Sequence, residues 1–167
     1  DPVMVATSGS KLLNDDACET LITKLLPLGT VITPNIPEAE VLCGFEIKNK
    51  GDMIKAAEKI SETIKCGILI KGGHLVSTAT DLLYENGKIT WFSTERIDNP
   101  NTHGTGCTIS SAIAANLAKG ATVEEAVKNA KAFITTAIEH SFAIGKGVGP
   151  TNHFYTLYKK AGYEECE

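Results

Sequence analysis

The chain has 167 residues, of which 43% are hydrophobic and 22% are charged. This composition is typical of one globular domain with a buried core, and it excludes a disordered or collagen-like chain. The formal net charge of -4 excludes the surplus of positive charge with which proteins hold nucleic acids. No apolar stretch is long enough to cross a bilayer, and the first residues carry no signal pattern. We therefore expect a soluble, cytoplasmic protein without nucleic-acid or membrane partners.

The cysteines and histidines show none of the spacings that bind metals. The 5 cysteines form no CxxC pair, and the 4 histidines show no HExxH spacing. An odd number of cysteines cannot all pair within one chain. The pattern indicates free thiols in a reducing compartment and argues against a zinc site.

Apolar periodicity and capping residues predict the helices in chain order. They are expected over residues 14–26, 37–42, 104–119 and 122–142, with another helix capped by Asp52 and a short one near the C-terminus. The last long helix should turn Phe133 and Ile138 inward and begin with a capping box of Thr122 and Glu125.

Short β-branched and apolar runs between these helices predict strands. They lie at residues 2–6, 31–33 and 67–70, followed by a hairpin of residues 82–84 and 89–92 around Asn86-Gly87. The alternation predicts an α/β fold with a mainly parallel sheet and helices on both faces. Ligands of such sheets gather at the carboxyl ends of the strands, where we expect residues 1–5, 35–38, 71–74 and 101–107.

The sharpest chemical pattern is Gly104-Thr105-Gly106-Cys107 at the start of a predicted helix. Free N–H groups and the helix dipole make such a start an anion site, although an ordinary tight turn would use the same glycines. Cys107 lies where the dipole favours a thiolate, which removes protons or attacks electrophiles. A plain buried cysteine is the competing interpretation.

Polar residues that follow the predicted strands are candidates for holding a nucleotide and its metal. Asn35 and Glu38 provide oxygen ligands of the kind that Mg²⁺ prefers, although both also suit a helix cap. Lys71 is placed to meet a phosphate, with plain solvent exposure as the alternative. Asp1 offers a further carboxylate near a metal, or a solvated chain end.

Several longer segments resemble one enzyme family, both in their amino-acid sequences and in their order along the chain. They are DPVMVA at residues 1–6, TPNIPEAEVL at 33–42, IKGGHL at 70–75, DLLY at 81–84 and NTHGTGCTISSAIAANLAKG at 101–120. Together they resemble the hydroxymethylpyrimidine/phosphomethylpyrimidine kinases of thiamine biosynthesis. The resemblance extends over nearly the whole chain to about Ala143.

The resemblance implies a ribokinase-like, three-layer α/β/α fold and ATP-dependent phosphorylation of 4-amino-5-hydroxymethyl-2-methylpyrimidine and then of its monophosphate. By the family's motifs, Gly104, Thr105 and Gly106 form the anion hole. Cys107 takes the position of the catalytic base, where many relatives have Asp.

The resemblance also assigns residues that precede this helix. Asn35 and Glu38 match the Asn-x-x-Glu motif for phosphate and metal, so Asn35 is expected at ATP and Glu38 at Mg²⁺, for which Asp1 is the further candidate carboxylate already named from its position. Lys71 is expected to contact the ATP phosphates, and Val3 to border the pyrimidine pocket.

The sequence departs from the family in lacking the N-terminal third that its members carry before the DPVMV segment. Residues 1–167 are thus expected to be the C-terminal portion of a single ribokinase-like domain, with the sheet incomplete at its N-terminal side. Its unpaired edge predicts association into a homo-oligomer. From residue 145 onward the match is less distinctive.

Three other functions stay open. A pyridoxal kinase shares the motifs and also phosphorylates a hydroxymethyl group on a flat heteroaromatic ring. A cysteine hydrolase would need a base beside Cys107 and an orienting acid, and the sequence shows no such acid. A non-catalytic nucleotide-binding fragment is the third.

Overall fold

The structure is a computed structural model that describes residues 1–5, 12–73 and 78–163. The chain divides into two compact units, Asp1–Arg96 and Ile97–Glu167. None of the helices in the described residues combines the length and apolar character that crossing a bilayer requires.

The first unit alternates helices with strands, as the sequence predicts. Its described elements in chain order are α1 (Asp15–Thr20), β1 (Val31–Ile32), α2 (Ile36–Cys43), α3 (Lys50–Thr63), β2 (Gly67–Lys71), β3 (Thr78–Glu85) and β4 (Lys88–Glu95).

The helix predicted over residues 14–26 changes its winding part of the way along. Asn14 caps α1 by accepting a hydrogen bond from the Ala17 amide at 2.8 Å. The chain then winds as a π-helical turn, Leu21–Leu25, and a 3₁₀ turn, Leu26–Leu28. Pro27 has no N–H to continue a regular ladder, which explains why the prediction of one α-helix is wrong beyond Thr20.

The cap of α3 is Asn49 rather than the predicted Asp52. The Asn49 side chain accepts from the Asp52 amide at 3.0 Å, and α3 begins at Lys50. The Asp52 carboxylate accepts in return from the Lys48 amide at 3.1 Å. Asp52 therefore stabilises the first turn from inside the helix, where its charge also suits the dipole.

The strands form one mixed sheet in the order β1-β2-β3-β4. β1 and β2 are parallel, whereas β3 is antiparallel to both β2 and β4. The predicted hairpin is confirmed, because Asn86 and Gly87 turn with φ of 51° and 81°, as a primed turn requires. Since the hairpin directly follows β2, parallel pairing among the described strands is limited to β1 and β2.

The core of the first unit lies between the sheet and helices α2 and α3. Ile68 and Ile70 of β2 belong to one buried cluster with residues of these helices, such as Ala39 and Ile60. Leu69 points to the other face of β2 and is also fully buried. Burial on both faces is typical of a central strand.

The second unit consists of helices, whose described members are α4 (Thr105–Ala118), α5 (Val123–Glu139) and α6 (Tyr155–Lys160). The predicted capping box of α5 is confirmed, since Glu125 accepts from the Thr122 amide at 2.9 Å and donates its own amide to Thr122 Oγ1 at 3.3 Å. α5 ends at Glu139, three residues before the predicted end. Phe133 lies at the rim of the buried face and is 38% exposed, so its predicted inward position is wrong.

Gly72, directly after β2, provides a test of this packing. A Cβ added to Gly72 would overlap the Thr80 carbonyl oxygen and touch Met53, whereas one added to Gly73 would meet no atom of the described residues within 4 Å. We expect Gly72→Ala to lower the free energy of unfolding by about 1–3 kcal/mol, because the backbone must shift to relieve the overlap. Urea unfolding of this variant, with Gly73→Ala as the matched control, measures the difference. Equal stability of the two variants would contradict this packing.

Candidate active site

The carboxyl ends of β1 and β2 lie side by side in the first unit. The Lys71 amide donates to the Pro34 carbonyl at 2.9 Å, and Asn35 and Lys71 pair as a parallel bridge. The Met4 amide donates to Glu38 at 3.2 Å, which ties residues 1–5 to the start of α2. Residues 1–5, 35–38 and 71–73 therefore lie close together, as the sequence predicts. Ala6 and His74, which belong to the same predictions, lie outside the described residues.

Lys71 forms an ion pair with Asp1 at this edge of the sheet. Lys71 Nζ lies 2.9 Å from Asp1 Oδ1, and the two side chains are only 17% and 15% exposed. Thr33 Oγ1 donates to the same carboxylate oxygen at 3.3 Å. Partial burial weakens screening by solvent, so this pair fixes the direction of the lysine more firmly than a surface pair would.

Asn35 and Glu38 form the capping box of α2. Asn35 Oδ1 accepts from the Glu38 amide at 2.9 Å, and Glu38 Oε2 accepts from the Asn35 amide at 2.9 Å. Glu38 is 2% exposed, and its other oxygen accepts from Met4. Asn35 and Glu38 therefore form the helix cap that was the alternative to metal binding. Two backbone N–H groups satisfy the charge of the Glu38 carboxylate.

Val3 has a strained backbone between two buried neighbours. Its φ is 48°, in the left-handed region that β-branched residues rarely adopt, and the residue is 49% exposed. Pro2 is buried and Met4 is 1% exposed. The neighbours hold Val3 in this conformation, which leaves its side chain accessible, and such strain is frequent at ligand sites.

Asp81 was not singled out from the sequence, although it begins the DLLY segment. It is 7% exposed, lies opposite Lys71 in the β2–β3 register, and accepts from the Gly72 amide at 3.0 Å. It therefore fixes the turn that follows Lys71. The available signal was its position directly before the apolar Leu82-Leu83 of the predicted strand.

The second unit contains the glycine-rich helix start, here called the anion cradle and defined as Gly104–Cys107. Gly104 is the N-cap of α4 with φ 85° and ψ 2°, and no side chain caps the helix. The first helical hydrogen bond runs from the Thr108 amide to the Gly104 carbonyl at 2.9 Å. Among the described residues, the amides of Gly106 and Cys107 have no acceptor. Two N–H groups at the positive end of the helix are thus available to an anion.

Cys107 is exposed and is the third residue of α4, which excludes the interpretation as a plain buried cysteine. Cys43 is buried and Cys66 is partly buried. Burial raises the pKa of the Cys43 thiol and that of the Cys66 thiol. Cys107 therefore combines access to solvent with a position at the helix start.

The glycine-rich loop near the C-terminus holds the residues that precede the cradle. The Asn101 side chain accepts from the Gly149 amide at 2.9 Å, and the His103 amide donates to the Gly149 carbonyl at 3.1 Å. A Cβ on Gly149 would overlap the Phe142 carbonyl and lie 2.6 Å from Asn101 Oδ1. Only glycine permits this close approach, and the sequence signal was the density of glycines in this loop.

The chain is similar to known small-molecule kinases. A model of the phosphomethylpyrimidine kinase family matches residues 1–152. The hydroxymethylpyrimidine/phosphomethylpyrimidine kinase of Haemophilus influenzae is 45% identical over 159 residues, which are 92% of this chain and 59% of that protein.

Solved structures give the same picture. The ADP complex of Bacillus subtilis pyridoxal kinase matches with a TM-score of 0.86 and 44% identity over 94% of this chain and 60% of its own. A phosphomethylpyrimidine kinase from Clostridium difficile matches with a TM-score of 0.71 and 43% identity over 83% of this chain and 55% of its own. These likenesses confirm the ribokinase-like α/β fold. The chain spans 59% of the length of the Haemophilus influenzae relative.

The thiol environments predict an order of reactivity towards alkylation. Iodoacetamide should modify Cys107 roughly tenfold or more faster than Cys43 and Cys66, because only an accessible thiolate reacts. Peptide mass spectrometry over a time course measures the rates, and Cys107→Ser should remove the fast phase without changing the other two. Equal rates at Cys107 and Cys43 would show that the start of α4 is not exposed as described.

Proposed function

We propose, from the premise that this chain belongs to the phosphomethylpyrimidine kinase family, that the protein phosphorylates a hydroxymethylpyrimidine. The substrate is 4-amino-5-hydroxymethyl-2-methylpyrimidine, then its monophosphate, and ATP is the phosphoryl donor. The observation that supports this most strongly is the anion cradle, where two free amides adjoin an exposed thiol. Phosphoryl transfer requires that combination of charge stabilisation and a base.

The anion cradle would bind the phosphoryl group during transfer. In the loose transition state, charge is spread over the equatorial oxygens of the phosphoryl group, and preorganised N–H donors stabilise it. The amides of Gly106 and Cys107 can supply these donors because no side chain caps α4. Thr105 contributes less through its amide, which already donates to the Thr102 carbonyl at 3.3 Å.

Cys107 would act as the general base. Its thiolate takes the proton of the substrate hydroxyl as the oxygen forms a bond to the γ-phosphorus, and the bond from that phosphorus to the bridging oxygen of ADP breaks. The products are the phosphorylated pyrimidine, ADP and the protonated thiol, which then returns its proton to solvent.

Lys71 and Asn35 would lie at the ATP phosphates, and Val3 would border the pyrimidine. In the structure Lys71 is paired with Asp1. A phosphate with more negative charge competes with that carboxylate for the ammonium group, so the ion pair holds the lysine ready for ATP.

The oxygen donors at the carboxyl ends of β1 and β2 would suit Mg²⁺ if water and phosphate oxygens complete its coordination shell. The described residues contain no group of three or more His, Cys, Asp or Glu side chains that could hold a metal ion. Mg²⁺ in nucleotide sites commonly needs only one or two carboxylates, with water and phosphate oxygens completing the shell. Asp1 and Glu38 would supply these carboxylates, and the ion would offset phosphate charge. Both Glu38 oxygens already accept backbone N–H groups, so Glu38 would act through water.

Pyridoxal is the second candidate substrate. The pyridoxal kinase of Bacillus subtilis matches this chain with a higher TM-score than the phosphomethylpyrimidine kinase of Clostridium difficile, 0.86 against 0.71. Measuring kcat/KM for both substrates with one full-length preparation separates the two functions. A preference for the pyrimidine supports the proposal, and a preference for pyridoxal replaces it.

The base role of Cys107 predicts a loss of turnover in the full-length enzyme. Cys107→Ala should lower kcat by about 10²- to 10⁴-fold, because the substrate hydroxyl then loses its proton acceptor. Coupled assay of ADP release measures kcat, and Cys66→Ala, which removes a partly buried thiol, is the matched control. Wild-type turnover by Cys107→Ala would remove Cys107 from the mechanism.

A further inference from the structure

A chain of hydrogen bonds connects His153 to the anion cradle within the second unit. His153 Nε2 lies 2.8 Å from Thr108 Oγ1 and 3.2 Å from Thr151 Oγ1. Thr108 is the residue after Cys107, and its Oγ1 lies 2.8 Å from the Gly104 carbonyl oxygen. That carbonyl also accepts the Thr108 amide at 2.9 Å.

The direction of these bonds is assigned from the groups at their ends, since the His153 ring nitrogen can donate or accept according to its tautomer. A carbonyl oxygen only accepts, so a Thr108 hydroxyl bonded to Gly104 donates its single proton there. Thr108 Oγ1 is then an acceptor towards His153, the proton of that bond comes from Nε2, and Thr151 Oγ1 faces the same N–H as a second acceptor. The order of donation therefore runs from His153 to Thr108 and from Thr108 to Gly104. It polarises the Thr108 hydroxyl and strengthens its bond to the carbonyl.

The same C-terminal segment also holds the residue before Gly104. The Thr151 amide donates to the His103 carbonyl at 3.4 Å, and His103 and Pro150 pair as a parallel bridge. Thr151 is 2% exposed, and the Asn152 amide donates to the Ala137 carbonyl of α5 at 2.8 Å. Residues 149–153, here called the C-terminal brace, are thus anchored on α5. They contact His103 and Thr108, the two residues that flank the cradle.

We propose that His153 is a positioning residue for the anion cradle, acting through Thr108 on the Gly104 carbonyl. Gly104 sets the left-handed turn from which α4 starts, and the orientation of its peptide group determines where the Gly106 and Cys107 amides point. Gly104 has no Cβ to restrict its backbone, so hydrogen bonds orient the peptide group between Gly104 and Thr105. The two bonds from Thr108 hold its carbonyl, and its N–H donates to the Thr102 carbonyl at 3.3 Å. The catalytic meaning of this role rests on the proposed function, whereas its effect on the cradle does not.

The test uses matched variants of the full-length enzyme. His153→Leu removes the donor, and His153→Gln keeps an N–H that can reach Thr108. Thr108→Val removes the hydroxyl at constant shape, and Thr156→Val, at an exposed threonine of α6, is its control. Urea unfolding of each variant identifies any that is simply less stable.

Turnover provides the first readout. His153→Leu and Thr108→Val should each lower kcat by about 10- to 100-fold with little change in KM for the pyrimidine, because small misplacements of transition-state donors cost rate rather than binding. His153→Gln should restore most of kcat. The double variant should be no slower than either single variant, because both remove one connected path. Unchanged kcat in His153→Leu, or equal loss in His153→Gln, would overturn the proposal.

The alkylation rate of Cys107 provides a second readout that needs no kinase activity. We expect His153→Leu to change the rate of reaction with iodoacetamide and His153→Gln to keep the parent rate, since a displaced start of α4 presents the exposed thiol differently to the reagent. If the parent lacks pyrimidine kinase activity but alkylation responds in this way, the proposed function fails and the positioning role stands. If the parent is active and kcat does not respond to His153→Leu, the positioning role fails and the proposed function stands.

Discussion

The left-handed backbone of Gly104 is the constraint on which the candidate site depends. With φ of 85° and no side chain, Gly104 starts α4 without a capping oxygen. The helices α2, α3 and α5 are different, because Asn35, Asn49 and Thr122 each accept a first-turn amide of their helix. An N-cap side chain takes up one first-turn amide, as Asn49 does with Asp52 in α3, whereas α4 has no side chain at its N-cap and leaves the amides of Gly106 and Cys107 for an anion. The local fold therefore distinguishes a helix start made for stability from one suited to binding.

In the first unit, the carboxylates have structural roles, and under the proposed function Asp1 and Glu38 would also serve a bound metal ion. Glu38 and Asp81 are nearly buried, and both accept backbone N–H groups from the ends of strands or loops. Buried carboxylates need such donors, since desolvated charge without partners is costly. Asp1 is paired instead with Lys71, a side chain that can change partner. This arrangement orders the edge of the sheet at which the proposed function places the ATP phosphates.

Local patterns could be predicted from the sequence because their causes are local. The Asn86-Gly87 turn and the Thr122–Glu125 capping box depend on residues within a few positions of one another, and both were predicted correctly. Asp52 was predicted as the cap of α3, but the cap is Asn49, because both residue types suit that role and only the backbone geometry decides between them. The gathering of strand ends followed from topology alone.

Features that depend on distant contacts could not be predicted. The exposure of Phe133 depends on what packs against α5, and the close approach at Gly149 depends on Asn101 and Phe142. The bond from His153 to Thr108 joins residues separated by 45 positions, and no periodic pattern in the sequence predicts it. The role of Val3 comes from the family resemblance alone, whereas Asp1, Asn35 and Lys71 were also candidates from their positions after predicted strands or at the chain end. Their contacts in the structure support proposals rather than assignments.

In the proposed reaction, the group at position 107 removes a proton rather than filling space at the start of α4. Turnover by full-length Cys107→Asp and Cys107→Asn separates these two roles, because the two side chains have nearly the same shape and only the carboxylate is a base. We expect Cys107→Asp to turn over the pyrimidine at least about 10²-fold faster than Cys107→Asn, in line with the usual contribution of a general base. Equal turnover by the two variants would contradict it.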